Sequence, residues 1–126
     1  MTRSRVVDLQ IYQRAYALSL EIHRASLRFP QIEQYALADQ VRRASKSICV
    51  NVAEGCAKRV ASQVDFKRFL VMALGSSDEM QIWSRYCLDL GYIDQTVAGR
   101  WLHEYEAISG MLQALIRKVA QGVADS

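Results

Sequence analysis

The chain has 126 residues, 51% of them hydrophobic and 23% charged, with 16 Lys and Arg against 13 Asp and Glu for a net charge of +3. This balance lies outside the low-hydrophobicity, high-charge range in which chains stay disordered, and the length suits one domain that hides roughly two thirds of its unfolded surface from water. The three cysteines, Cys49, Cys56 and Cys87, are odd in number and show no C-x-x-C or Cys/His spacing, which argues against a disulfide framework and against a zinc site. No segment reaches the ~20 apolar residues of a membrane span and no signal-peptide run opens the chain, so a cytoplasmic, reduced protein is expected.

Four segments carry apolar residues at helical spacing, at about residues 8–28, 33–55, 63–90 and 95–120. In the first, Leu9, Tyr12, Tyr16, Leu20, His23 and Leu27 form the main stripe and Ile11, Ala15, Leu18 and Ile22 a flanking one. Phe29-Pro30 ends it, because a residue before proline is pushed out of the helical region. The second segment repeats at Leu37, Val41, Ala44, Ile48 and Val52 and is expected to stop or bend at Gly55. Ser62 reads as the N-cap of the third, with Asp65 in the first turn, a stripe of Phe66, Phe69, Ala73, Ser76, Met80, Trp83, Cys87 and Leu90, and Gly91 as terminator. Asp94 caps the fourth, whose stripe is Val97, Trp101, Tyr105, Ile108, Leu112, Leu115 and Val119. Residues 1–6 and those after Ala120 are expected to fray. Short connections then predict an all-α fold, an antiparallel up-down-up-down bundle of four helices, and the mixed 3 and 4 spacings predict left-handed packing.

Charge is unevenly spread. Between Arg42 and Arg68 stand seven basic residues, Arg42, Arg43, Lys46, Lys58, Arg59, Lys67 and Arg68, against Glu54 and Asp65, an excess that outweighs the charge of the whole chain. Such a cluster attracts phosphates through a salt-dependent, sequence-blind attraction, which makes these seven the candidate nucleic-acid contacts. The competing reading gives them a structural task, pairing with carboxylates of a neighbouring helix or subunit in a protein scaffold or adaptor.

Asn51 and Glu54 fall beside the apolar positions Ile48, Val52 and Gly55, where polar groups need partners. Glu54 is expected to pair with Arg42, Arg43 or Arg59, so that Glu54→Ala lowers the melting temperature more than Glu21→Ala, taken as a surface change. Gly75, in Gly75-Ser76-Ser77, costs a helix interior roughly 1 kcal/mol, and close approach of another helix or subunit is the expected reason. No P-loop spacing, nucleophile and base pair, or Glu-x-x-His ligand set can be assembled, and His23 and His103 have no companion at i+3 or i+4. No enzyme activity, metal or cofactor is expected.

The run Phe29-Pro30, Tyr35-Ala36-Leu37, Gln40 to Ala44, Ser47-Ile48, Asn51 to Gly55, Phe66, Phe69-Leu70, Ala73, Gly75-Ser76, Glu79 and Leu90-Gly91-Tyr92 resembles the bacterial four-helix-bundle family of 23S ribosomal RNA intervening-sequence proteins. The similarity spans about residues 8–119 and centres on the arginine pair followed by N-x-A-E-G. Two positions depart from the pattern: Cys49, where the family often has proline, and Val50, where a small residue is usual. The resemblance implies a homo-oligomer, a ring of five bundles as in some relatives and in the related accessory proteins of diversity-generating retroelements. It also implies binding of nucleic acid or of a reverse transcriptase through a basic surface, and no enzyme activity.

Overall fold

The structure, a computed structural model, describes the backbone of residues 3–125 and the side chains of residues 9–124. It contains four long helices, α1 (Arg3–Ser26), α2 (Leu37–Lys58), α3 (Gln63–Asp89) and α4 (Gln95–Asp125), with one 3-10 turn at Gln31–Glu33 between the first two. The described residues contain no strand. Each helix buries residues that alternate in steps of three and four, as in Val41, Ser45, Ile48, Val52 and Gly55 on α2 and Ala98, Trp101, Tyr105, Ile108, Leu112, Leu115 and Val119 on α4. On α3 the same rhythm is unbroken from Phe66 through Leu70, Ala73, Ser77, Met80 and Ser84 to Cys87. Steps of this kind keep one narrow seam turned toward the neighbours and fill a continuous core between the helices.

The ends of the helices follow local chemistry. Ser62 accepts a hydrogen bond from the Asp65 N–H at 3.1 Å, and Asp94 accepts one from Val97 at 2.8 Å, so both expected caps form. Gly91 has φ +79°, and the Tyr92 N–H returns to the Cys87 carbonyl at 2.8 Å, the six-residue Schellman loop that closes a helix on a left-handed glycine. Phe29 is buried after the end of α1 and packs against Tyr92 with the rings tilted by 37° and their centroids 5.1 Å apart, while the Tyr92 hydroxyl donates to Glu33 at 2.7 Å. These contacts tie the α1–α2 connection to the α3–α4 connection at one end of the bundle.

Several expectations are corrected. Gly55 does not stop α2, which continues to Lys58; it is buried, and a Cβ there would lie 3.1 Å from Phe69 Cβ and 3.2 Å from the Phe66 ring. Its missing side chain lets α2 and α3 approach closely. Residues 33–36 precede α2 as a tight turn rather than belonging to it. Helix α1 begins by Arg3 and α4 runs to Asp125, longer at each end than the apolar pattern suggests, whereas Met1, Thr2 and Ser126 lie outside the described residues. The two stripes of α1 exchange roles: Ile11, Ala15, Leu18 and Ile22 form the core, whereas Leu9, Tyr16 and Leu27 are exposed.

Candidate nucleic-acid interface

The seven basic residues separate into two groups. Arg42 to Lys58 is most of the length of α2, about 24 Å at 1.5 Å per residue. At the α2–α3 turn, Lys58 and Arg68 are exposed and Arg59 and Lys67 partly so, with Arg59 stacked over Phe66 at 4.4 Å and Arg68 over Phe69 at 4.9 Å. Arg68 also reaches Asp65, one turn earlier on its own helix, at 3.5 Å. Stacking fixes the guanidinium stems against aromatic faces while the charged edges stay in water.

Arg42, Arg43 and Lys46 form the second group, and only part of it faces solvent. Arg42 donates to Ser26 Oγ at 2.8 Å, to Gln34 Oε1 at 3.2 Å and to the Gln34 carbonyl at 2.7 Å. It therefore fastens the start of α2 to the end of α1, and its role is chiefly architectural. Arg43 is exposed and pairs with Asp39 at 3.0 Å along the same helix. Lys46 donates to His23 Nδ1 at 2.9 Å. Burial first, and then the nearby Arg42, hold the Lys46 ammonium below its usual pKa, with Asp39 opposing. His23 is likewise held below 6.5 by burial and by Lys46, Arg42 and Arg24.

Of the residues given structural roles, Asn51 donates to the Ser47 carbonyl at 2.9 Å and to Ser47 Oγ at 3.0 Å, and Ser76 on α3 donates to the same hydroxyl at 3.0 Å. Asn51 thus supports a polar contact between α2 and α3. Glu54 is exposed and makes no ion pair with any described residue, because the seam turns through Val52 and Gly55 and leaves position 54 outside. Gly75 is also exposed, and a Cβ added there meets nothing within 4 Å, so no helix of the bundle accounts for it. Its neighbour Ser77 is buried, within 2.8 Å of Ser109 Oγ, and Ser109 donates to Asp78 at 2.8 Å, a polar link from α3 to α4. Cys49 and Cys87 are buried, and burial pushes their thiols up to about 11 and about 12 respectively.

The seam between α1 and α4 was not foreseen. These helices touch over much less of their length than the other neighbouring pairs. Arg14 grips Glu104 with both ends of its guanidinium, at 2.5 and 3.0 Å. That pairing raises the Arg14 pKa and lowers the Glu104 pKa, against a smaller opposing effect of burial in each. Glu21 Oε2 accepts from Arg100 at 2.7 Å and from the indole N–H of buried Trp101 at 2.5 Å. Burial pushes the Glu21 carboxyl up, but the Arg100 and Trp101 hydrogen bonds outweigh it and leave the group below 4.5. A signal existed in the sequence: Glu21 lies beside core residue Ile22, and Arg100 and Glu104 flank Trp101 and Tyr105. No group of three or more His, Cys, Asp or Glu among the described residues is placed to hold a metal ion, and no described helix is long and apolar enough to cross a membrane.

The crystal structure of a protein of unknown function from the S23 ribosomal protein family of Bacteroides thetaiotaomicron has the same fold, with a TM-score of 0.78 over 88% of this chain and 98% of that one, at 19% identity. No curated protein matches the chain. The sequence profile of the family described as 23S rRNA-intervening sequence protein matches residues 7–114, and on this match over most of its length the chain belongs to that family.

Proposed function

We propose that this chain is a non-enzymatic RNA-backbone-binding protein of the cytoplasm that works as a homo-oligomer, with the exposed cations of α2 and α3 as its phosphate contacts. The observation that carries this reading is how those cations are paired. The ion pairs Arg14–Glu104 and Arg100–Glu21 cross between α1 and α4, whereas Arg43 pairs with Asp39 and Arg68 with Asp65 along their own helices and Lys58 stays exposed. Short-range pairs between exposed groups are weak, so these cations exchange partners readily for phosphates. The words ribosomal and rRNA in the names of the similar structure and of the family favour RNA as the polyanion. Arg42 is removed from the contact set, since its guanidinium already serves the α1–α2 connection.

Oligomer formation is supported by the outer face of α3, where Val64, Val71, Ile82 and Tyr86 are exposed around the bare Gly75. Residues spaced by sevens and fours share one helical face, and a second copy of the chain is the partner we assign to it. The same face favours a second reading, a protein scaffold in which assembly rather than RNA is the purpose. Binding of a structured RNA measured across salt concentrations separates the two. RNA affinity should fall steeply with salt, and the triple variant Lys58→Gln, Lys67→Gln, Arg68→Gln should flatten the log-log slope by about 2. A protein that binds no RNA at low salt overturns the first reading, and mass in solution that stays at 14.3 kDa overturns the oligomer.

A further inference from the structure

Between the last turns of α1 and the first turns of α4 lies a cavity of about 560 Å³, lined among others by Leu20, Arg24, Ala25, Arg28, Arg100 and Trp101. That volume falls within the range of small-molecule sites. Its charge is lopsided. Three arginines face it with Glu21 as the only carboxylate of the lining, and Glu21 is already bonded to Arg100 and to the Trp101 indole. Asp94, near Arg100, is engaged as the cap of α4. Arg24 and Arg28 are exposed, one turn apart, and neither has an ion-pair partner among the described residues. The dipole at the C-terminus of α1 tolerates cations there, but two like charges at this spacing repel each other.

We infer that this cavity is a binding site for a small phosphate monoester, with Arg24 and Arg28 as the fork that receives the phosphate and the half-buried apolar wall of Leu20, Ala25 and Val97 as the seat of its organic body. The charge decides between anions: two guanidiniums with no ion-pair partner among the described residues match the −1.5 to −2 charge of a phosphate monoester at about neutral pH better than a single carboxylate. The site lies at the α1–α4 seam and does not depend on the α2–α3 cations proposed to hold RNA. A phosphate drawn toward Arg100 also competes with Glu21, so the Trp101 N–H that Glu21 holds reports occupancy directly.

The test uses the full chain and two indole signals. Trp101 is the reporter, and Trp83, whose indole donates to Glu79 on α3 at 3.0 Å, is the internal control. At constant ionic strength, phenyl phosphate should shift the Trp101 indole N–H in a saturable way, inorganic phosphate should do so more weakly, and Trp83 should stay in place. The double variant Arg24→Gln, Arg28→Gln removes only exposed groups, should melt with the parent, and should weaken binding by about tenfold or more. Shifts that never saturate, that sodium sulfate reproduces, or that persist in the double variant overturn the proposal. An RNA that moves the Trp101 signal where phenyl phosphate does not also overturns it, and makes the two arginines backbone contacts.

Discussion

The α2–α3 seam and the α1–α4 seam are built on opposite terms. Where α2 meets α3, Gly55 sits against Phe66 and Phe69 and the two backbones come close enough that one methyl group would crowd them. Where α1 meets α4, long side chains reach across the gap: Arg14 to Glu104 and Arg100 to Glu21, with cavities of about 500 and 560 Å³ left between and beside the bridges. Small residues let dispersion and exclusion of water hold one pair of helices. The other pair touches over less of its length and is bridged by charged residues with cavities beside them. The contrast implies that the first seam responds to volume and the second to charge.

Volume gives the largest expected effect. Gly55→Val places branched methyls where Phe69 Cβ is already 3.1 Å from a bare Cβ and the Phe66 carbonyl 3.4 Å, and neither of those atoms is the free end of a flexible side chain. Overpacking of this kind costs about 3 kcal/mol, read as a lower urea midpoint with unchanged slope. A melting point equal to that of the parent would show that α2 and α3 can separate without loss, and the contrast between the seams would fall.

How much of this was legible in the sequence depended on which residue types fill the seam. On α4, Trp101, Tyr105, Ile108 and Leu112 are large and apolar, and the expected stripe from Trp101 to Val119 is the buried one. On α3 the buried positions include Ser77 and Ser84, satisfied by the Tyr105 and Met80 carbonyls, while Phe69 and Trp83 stand at the edges. Reading for greasy residues therefore drew the stripe toward the edge aromatics. The caps at Ser62 and Asp94 and the stop at Gly91 were legible because each acts within four residues of itself. The partners of charged residues were not, since Arg14 and Glu104 are far apart in the chain and meet only through the packing of α1 on α4. That is why Glu54 and Glu21 exchanged places: the carboxylate expected inside is exposed, and the one expected outside holds Trp101.

Charge supplies the next effect, and it reverses the order the sequence suggested. Glu21→Ala removes the acceptor of the fully buried Trp101 and should cost about 2 kcal/mol, most of it from the orphaned indole N–H rather than from the exposed ion pair with Arg100. Glu54→Ala should stay within about 0.5 kcal/mol of the parent, as surface changes do. Two further substitutions should stabilise by about 1 kcal/mol each. Tyr105 is fully buried and its hydroxyl has no hydrogen-bond partner among the described residues, so Tyr105→Phe removes an unsatisfied group without leaving a large void. Gly75→Ala gains helix propensity at a position open to solvent. That gain belongs to the separated chain: where the second copy assigned to this face packs against Gly75, it should turn into a loss that grows with protein concentration, and a gain at every concentration would take the second chain off that face.

The smallest effect is a pH dependence that belongs to the charged half of the molecule. Burial, together with Lys46, Arg42 and Arg24, disfavours protonated His23, so in the folded chain it takes up a proton below its ordinary value of 6.5, while the unfolded chain does so at that value. Below 6.5 the unfolded state then binds more protons than the folded one. The contribution is whole above that pH and is lost as pH falls through the lower folded value. Glu21 and Glu104, both held below 4.5, add a second loss of the same sign in a more acid window. Urea midpoints of the parent and of His23→Gln, whose side chain keeps an acceptor for Lys46, separate the two windows: the variant should lose the decline just below pH 6.5 and keep the one below 4.5. Parallel curves would mean that Lys46 moves away from the protonated ring at no cost, and that the cations around His23 are more loosely held than the bridges between α1 and α4.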